Sequence, residues 1–260
     1  MAGSEYDVWA DYYDVVHTGL PGEAEFYVGQ GVRLGTETLE LGCGTGRIGI
    51  PMAMSGVRVV GVDHSRRMLE YCREKMTVLG DVSGRLNLIE GDMRGFAFAR
   101  DFGLIIMPYR TFMHLLTAEE RGECLECVYR HLRSEGRFIL NLWAGDGAGL
   151  PEHWANREGA LVFAGRYALP ESEGELVHFV ASTCDRERQL IVEEHVLQEV
   201  TGEGAVVHTA VLPMRRAWVT YKQMLEALTA AGFQIEAVFG DFDCAQFTPD
   251  STEMIWVARK

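Results

Sequence analysis

The chain has 260 residues, 47% of them hydrophobic, and a formal net charge of −14. That is apolar content for a substantial core, in one enlarged α/β domain or in one domain with an insertion. The acid excess repels phosphate backbones and argues against DNA or RNA as the main partner; no dense Lys/Arg run offsets it.

Residues 1–35 read as an N-terminal helical cap, with Tyr6, Trp9, Tyr12, Tyr13, Phe26 and Tyr27 concentrated there. Met1–Asp7 lacks the basic and apolar segments of a signal peptide. No apolar run approaches the roughly 20 residues of a membrane helix. A soluble cytoplasmic protein with no membrane partner is expected. Strands and helices then alternate, as in a parallel sheet covered on both faces. Strands are expected near 36–41, 57–62, 86–89, 102–107 and 137–142, and helices near 46–55, 65–79 and 118–133. From 160 to 217 the period changes to apolar–polar alternation broken by Glu173-Gly174, Asp185-Arg186 and Gly202-Glu203-Gly204, which predicts three or four antiparallel strands. A helix near 220–231 stops at Gly232, and strands near 233–239 and 253–258 close the chain. Six cysteines, at 43, 72, 124, 127, 184 and 244, read as cytosolic thiols. Cys124 and Cys127 fall in a helical stretch with no second pair, and the eight histidines show no ligand spacing. No metal is expected.

The segment Leu39-Glu40-Leu41-Gly42-Cys43-Gly44-Thr45-Gly46 carries the most information. A short apolar strand runs into a turn with glycine at every second position, where the backbone can come into contact with a ligand. The following stretch can begin a helix if Pro51 lies in its first turn. Strand, glycine turn and helix start together make a nucleotide pocket at the carboxyl end of a parallel strand. Asp63 ends the next strand, and Gly91-Asp92-Met93 follows the third. The stretch Gly44-Thr45-Gly46-Arg47-Ile48-Gly49 also satisfies the dinucleotide pattern G-x-G-x-x-G. In that reading the first glycine should follow the strand directly, and here that glycine is Gly42.

Glu40-x-Gly42-x-Gly44-x-Gly46, Asp63 and Gly91-Asp92-Met93 resemble the class I S-adenosylmethionine-dependent methyltransferases, with element order matching from near the N-terminus to the last strand. The resemblance implies a Rossmann-like seven-stranded α/β sheet with helices on both faces, plus an antiparallel strand insertion after the fifth strand. The implied units are a cap over 1–35, a cofactor-binding core over 36–159 and 218–260, and inserted strands over 160–217 covering the acceptor site. The insertion resembles that of small-molecule methyltransferases, among them amino-sugar and glycine N-methyltransferases. The implied cofactor is S-adenosyl-L-methionine. Gly42 and Gly44 would meet its methionyl part, with Glu40 organising the turn. Asp63 would take the ribose hydroxyls, His64 and Met68 would lie beside the nucleoside, and Asp92 and Met93 would meet the adenine. Tyr13 would reach the sulfonium, and Met107, ending the fourth strand, would bind the cofactor.

The expected reaction is in-line transfer to a small-molecule amine or hydroxyl, by positioning and with His114 as candidate base, since imidazole titrates near neutral pH. Its rival role is a packed histidine. Arg110, Trp143 and Arg216 are candidate acceptor-binding residues; both arginines would suit an anionic acceptor. A homodimer is compatible with this reading. The rival readings are an NAD(P)-dependent oxidoreductase and a non-catalytic S-adenosylmethionine-binding protein.

Overall fold

The computed structural model describes residues 4–80, 82, 84–144, 159–169 and 173–260. The end of the expected core segment, 145–158, lies outside the described residues. Chain order is α1 (Ala10–Val16), α2 (Glu23–Leu34), β1 (Thr38–Leu41), α3 (Gly49–Met54), β2 (Val59–Asp63), α4 (Arg66–Leu79), β3 (Leu86–Glu90), β4 (Phe102–Met107), α5 (Ala118–His131) and β5 (Leu132–Trp143). Then come β6 (Val162–Ala168), β7 (Glu175–Asp185), β8 (Leu190–Val200), β9 (Val206–Ala217), α6 (Tyr221–Ala230), β10 (Gln234–Phe239) and β11 (Glu253–Arg259).

Seven strands form one sheet in the order β10-β11-β5-β4-β1-β2-β3. β11 runs antiparallel to both neighbours, and the other pairs are parallel. Strand order reverses between β1 and β4, so the carboxyl ends of these two strands border a crevice, where open α/β sheets bind ligands. Alternation along β4 shows how the sheet is clad. Ile105 and Met107 join the core beneath α5 and α6, while Leu104 and Ile106 join the core beneath α2, α3 and α4. The two faces are thus both buried, which accounts for the near-continuous apolar run of the strand.

Two boundaries differ from expectation. The helix expected over 118–133 ends at His131, and the strand expected to begin near 137 begins at Leu132. Leu132 is fully buried and pairs with Phe102, so burial pulls the chain out of the helix there. The extra length is absorbed by a register shift and by Glu135, held at φ 62°. The helix expected from Gly46 starts only at Gly49, because Gly46 is held at φ 86° in the turn.

The insert folds as a separate four-stranded antiparallel sheet, β6-β7-β8-β9. Leu176, Leu197, Leu212 and Met214 on one of its faces close around Trp9. The Trp9 indole N–H donates to the Pro213 carbonyl at 2.9 Å. Pro213 lies on β9, an edge strand, where a missing N–H costs no ladder bond. On its other side the N-terminal segment is tied to α4 and the glycine turn. Ser65 donates to Asp7 at 2.7 Å, Arg67 to Asp11 at 3.0 Å, and Thr45 to Asp14 at 2.6 Å. Among the described residues no helix is long and apolar enough to cross a membrane.

Candidate active site

β1 ends at Leu41 and the chain turns at once, with Gly42, Gly44 and Gly46 at φ 71°, 52° and 86°. These left-handed values are costly for any residue with a Cβ. At Gly42 a Cβ would also strike the Thr111 side chain. The bare turn is stitched to β2 through the Gly42 and Cys43 amides, which both donate to the Val62 carbonyl, at 2.8 and 3.1 Å.

Asp63 ends β2 on the same rim. Its Oδ2 accepts from the Gly44 N–H at 2.7 Å and its Oδ1 from the Ser65 N–H at 2.8 Å. Each oxygen keeps a lone pair for a ligand hydroxyl. Burial pushes the carboxyl above its ordinary range, and the two amides pull it back. Asp92, after β3, is clasped by Arg94, with Nη2–Oδ2 at 2.6 Å and Nε at 3.0 Å, and Arg94 reaches on to Glu120 at 2.9 Å. Its guanidinium holds the Asp92 carboxyl below the usual range.

The turn and the two acids border a cavity of about 440 Å³. Of the sequence candidates, Tyr13, Gly42, Gly44, Asp63, His64, Met68, Asp92, Met93 and His114 line it. The sequence reading missed Tyr6, Arg94, Tyr109, Thr111 and Arg215, which line it too. Tyr6 stood in the aromatic N-terminal segment and Tyr109 directly beside the candidate Arg110; nothing in the sequence marks Thr111 or Arg215.

His114 has both ring nitrogens occupied. Nδ1 lies 3.1 Å from the Arg215 carbonyl, which only accepts, so Nδ1 carries the proton. Nε2 therefore accepts from the Tyr6 hydroxyl at 2.8 Å. Burial pushes the imidazole down to about 4, so the ring is neutral at neutral pH. Tyr6 meets Tyr13 edge-on at 5.9 Å, and burial raises both phenols.

Five candidates stand off the cavity wall. Glu40 points into the opposite core, 2% exposed, with Oε2 lying under Gly49; burial raises its carboxyl to about 8. Strand alternation explains this, since Leu39 and Leu41 take the other face. Met107 is fully buried in the core beneath α5, and Trp143 at the end of β5 joins the same core. Arg110 is drawn to Glu253 on β11, Nε to Oε1 at 3.0 Å, and Asn141 steadies that carboxylate at 2.9 Å. Arg216 is ion-paired with the buried Glu193.

Tyr109 and Arg110 are consecutive non-glycine residues at φ 53° and 62°. Such strain costs about 1–3 kcal/mol per residue and persists only where the surroundings over-determine it. Here Glu23 accepts from the Tyr109 N–H at 2.8 Å, Arg47 stacks 3.8 Å over the Tyr109 ring, and Glu253 holds Arg110.

Residues 38–136 match a family described as the methyltransferase domain. A cypemycin N-terminal methyltransferase of a Streptomyces species is 29% identical over 226 residues, 87% of this chain and 84% of that protein. Residues 38–136 are a methyltransferase domain, and the chain as a whole is similar to S-adenosylmethionine-dependent methyltransferases. A dTDP-3-amino-3,6-dideoxy-alpha-D-glucopyranose N,N-dimethyltransferase of Streptomyces fradiae is 25% identical to this methyltransferase, over 89% of it and 86% of the relative. The solved CcbJ methyltransferase of Streptomyces caelestis shares the fold with a TM-score of 0.83 at 22% identity, covering 99% of this chain and 98% of its own. DesVI of Streptomyces venezuelae gives 0.72 at 18% identity, over 100% and 99%. The nicotinamide and non-catalytic readings find no support among these relatives.

Residues of this methyltransferase fit its cofactor. The turn is bare where a Cβ would fill it, and the Asp63 carboxylate retains acceptor capacity. The arginines on the wall are matched by acids while Asp63 is not, which suits a cationic sulfonium and ammonium group.

Proposed function

We propose that the enzyme methylates an amine or hydroxyl of a small molecule, with an amine favoured by the N-methylations for which its relatives are named. One observation carries this reading: the bare turn, both strand-end acids and the Tyr6–His114 pair share a single cavity. The cofactor, when bound, supplies a methyl group activated on sulfur.

The residues then divide the work. The Gly42–Gly44 backbone receives the methionyl part, with Glu40 bracing the turn from behind. Asp63 takes the ribose hydroxyls, a geometry open to a carboxylate with one lone pair free on each oxygen. His64 and Met68 flank the nucleoside. Asp92 and Met93 receive the adenine, Asp92 sharing its carboxylate with Arg94. Tyr13 and Tyr6 hold the nucleophilic atom in line and exclude water. Positioning of this sort supplies up to roughly 7–11 kcal/mol.

His114 aligns the Tyr6 hydroxyl rather than storing a proton. Its free lone pair is taken, and an imidazole titrating at about 4 does not hold a proton at neutral pH. The proton of a newly methylated ammonium therefore leaves to solvent. Arg110, Trp143, Arg216 and Met107 act from behind the wall and keep no direct ligand contact. The cap over 1–35 and the insert over 160–217 wall the acceptor side of the core over 36–159 and 218–260. A cytoplasmic location is supported by six cysteines that form no disulfide among the described residues.

The test is incubation of the enzyme with methyl-labelled S-adenosylmethionine and a pool of small amines. Label in a methylated amine is expected. Tight S-adenosylhomocysteine binding with no transfer to any amine or alcohol would refute the proposal. For the His114 role, His114→Gln, which keeps an acceptor for Tyr6, should retain far more turnover than His114→Ala; equal losses would restore the base.

A further inference from the structure

One stretch of the cavity wall is built from Asp92, Arg94 and Glu120, with Leu115 and Leu116 beside them. It starts at the head of α5. Thr117 caps that helix, and Glu120 completes a capping box. Glu120 Oε2 accepts from the Leu116 and Thr117 N–H groups, at 2.7 and 3.2 Å. Its Oε1 accepts from Arg94 Nη1 at 2.9 Å. The other side of the guanidinium grips Asp92: Nη2 donates to Oδ2 at 2.6 Å, and Nε lies 3.0 Å from both oxygens. The Arg94 main-chain N–H adds a bond to Oδ1 at 2.9 Å. A helix cap, an arginine and an acid after β3 are thus coupled in one row.

Stability alone is a weak reason for this row. The side chains of Asp92, Arg94 and Glu120 are 36%, 40% and 30% exposed, and ion pairs so open to water contribute little. What the arrangement fixes is direction. A guanidinium clasping one carboxylate along an edge, and held from behind by a second, leaves the first no freedom to turn.

The acceptor count at Asp92 then becomes specific. A carboxylate offers about four acceptor sites. The main-chain N–H, Nε–H and Nη2–H of Arg94 use three of them. One is left, on Oδ2, and it suits a single N–H donor. Leu115 and Leu116 add apolar surface to the same wall, as a flat base requires. An adenine ring supplies the donor from its 6-amino group. A 6-oxo purine instead sets a carbonyl oxygen against the carboxylate, and its nearest donor, N1–H, lies one ring position away. Reaching that donor requires the carboxylate to swing, which the Arg94 clasp prevents.

Resting on the cofactor placement proposed above, we infer that Arg94 and Glu120 are positioning residues for the cofactor's base: they hold Asp92 in the one orientation that accepts a 6-amino group and rejects a 6-oxo group. Both act through Asp92, and neither has to touch the base. A site built around one hydrogen-bond donor discriminates strongly against an analogue that lacks it.

Calorimetric titration of the full chain with S-adenosylhomocysteine and with S-inosylhomocysteine, which carries a carbonyl in place of the amino group, tests this. The parent should prefer the amino form at least tenfold. Arg94→Met frees the carboxylate to turn toward N1–H, so its two affinities should come within threefold of each other. Glu120→Gln keeps the capping box, because an amide oxygen serves the same two N–H groups, but it turns an NH₂ group on Arg94. That variant should melt with the parent while its preference shrinks at least threefold. A parent with no preference overturns the inference. So does an Arg94→Met chain that loses affinity for both ligands alike and keeps the parental ratio, which makes Arg94 merely structural. If Arg94→Met does not fold, Glu120→Gln decides, and an unchanged ratio there overturns the inference. A parent chain that binds neither ligand refutes the methyltransferase reading instead.

Discussion

Asp63→Asn is the sharpest small change available to this site. The carboxylate accepts from Gly44 and Ser65 on separate oxygens, at 2.7 and 2.8 Å. An amide has one acceptor oxygen, so its NH₂ group must face one of those N–H donors. A hydrogen bond to a charged group is worth about 1.5–3 kcal/mol. The variant loses one such bond within the protein and one toward a ribose hydroxyl. The glycine turn loosens with the first, and the ligand is held less well with the second. Together these weaken cofactor binding by about 3 kcal/mol, roughly a hundredfold. Calorimetric titration with S-adenosylhomocysteine reads this directly, and circular dichroism checks that the fold persists. An affinity within twofold of the parent, in a folded variant, refutes the assignment of Asp63 and the reasoning that leads from the strand end to the ribose.

Three further outcomes are expected. Gly42→Ala places a Cβ at φ 71° and against Thr111; the left-handed conformation alone costs about 1–2 kcal/mol, so both thermal stability and S-adenosylhomocysteine affinity should drop, whereas Gly56→Ala, also at positive φ but with open space around it, should leave affinity unchanged. Glu253→Ala strands the Arg110 guanidinium and should destabilise the chain by about 3–5 kcal/mol in urea unfolding; a loss below 1 kcal/mol would show that the Tyr109–Arg110 turn does not depend on this pair. Burial lowers the native His17 and His178 rings to about 3 and about 4, against an unfolded value of about 6.5. The unfolded chain then binds more protons, so their contribution is complete above about pH 6.5 and fades as pH falls toward 4. Urea midpoints should decline across that window, and the double variant His17→Phe, His178→Phe should decline less.

The parts of the site legible in the sequence are those fixed by local chain geometry. Gly42, Gly44 and Gly46 announce a turn that only glycine tolerates, and Asp63 is read from its place at the end of an apolar strand. The sheet follows for the same reason: periodicity and turn residues mark each element. What was hidden depends on partners far apart in the chain. Arg110 reads as a free cation until Glu253, 143 residues on, takes it. His114 reads as an available base until Tyr6, 108 residues earlier, takes its lone pair. Arg216 offers the same lesson, since its acid, Glu193, lies on the neighbouring strand. Glu40 was misjudged in direction because a strand of only four residues, buried throughout, gives no alternation to read. The early start of β5 was concealed by helix-compatible residues up to Arg133, and only the tertiary pairing of Leu132 with Phe102 settles it.

A crystal structure with S-adenosylhomocysteine tests the central claim most directly. The account predicts the ribose hydroxyls on Asp63, the amino-acid portion over the Gly42–Gly44 backbone, and the sulfur turned toward Tyr13. Ligand seated elsewhere, or a ribose that leaves Asp63 bonded to Gly44 and Ser65 alone, would contradict it.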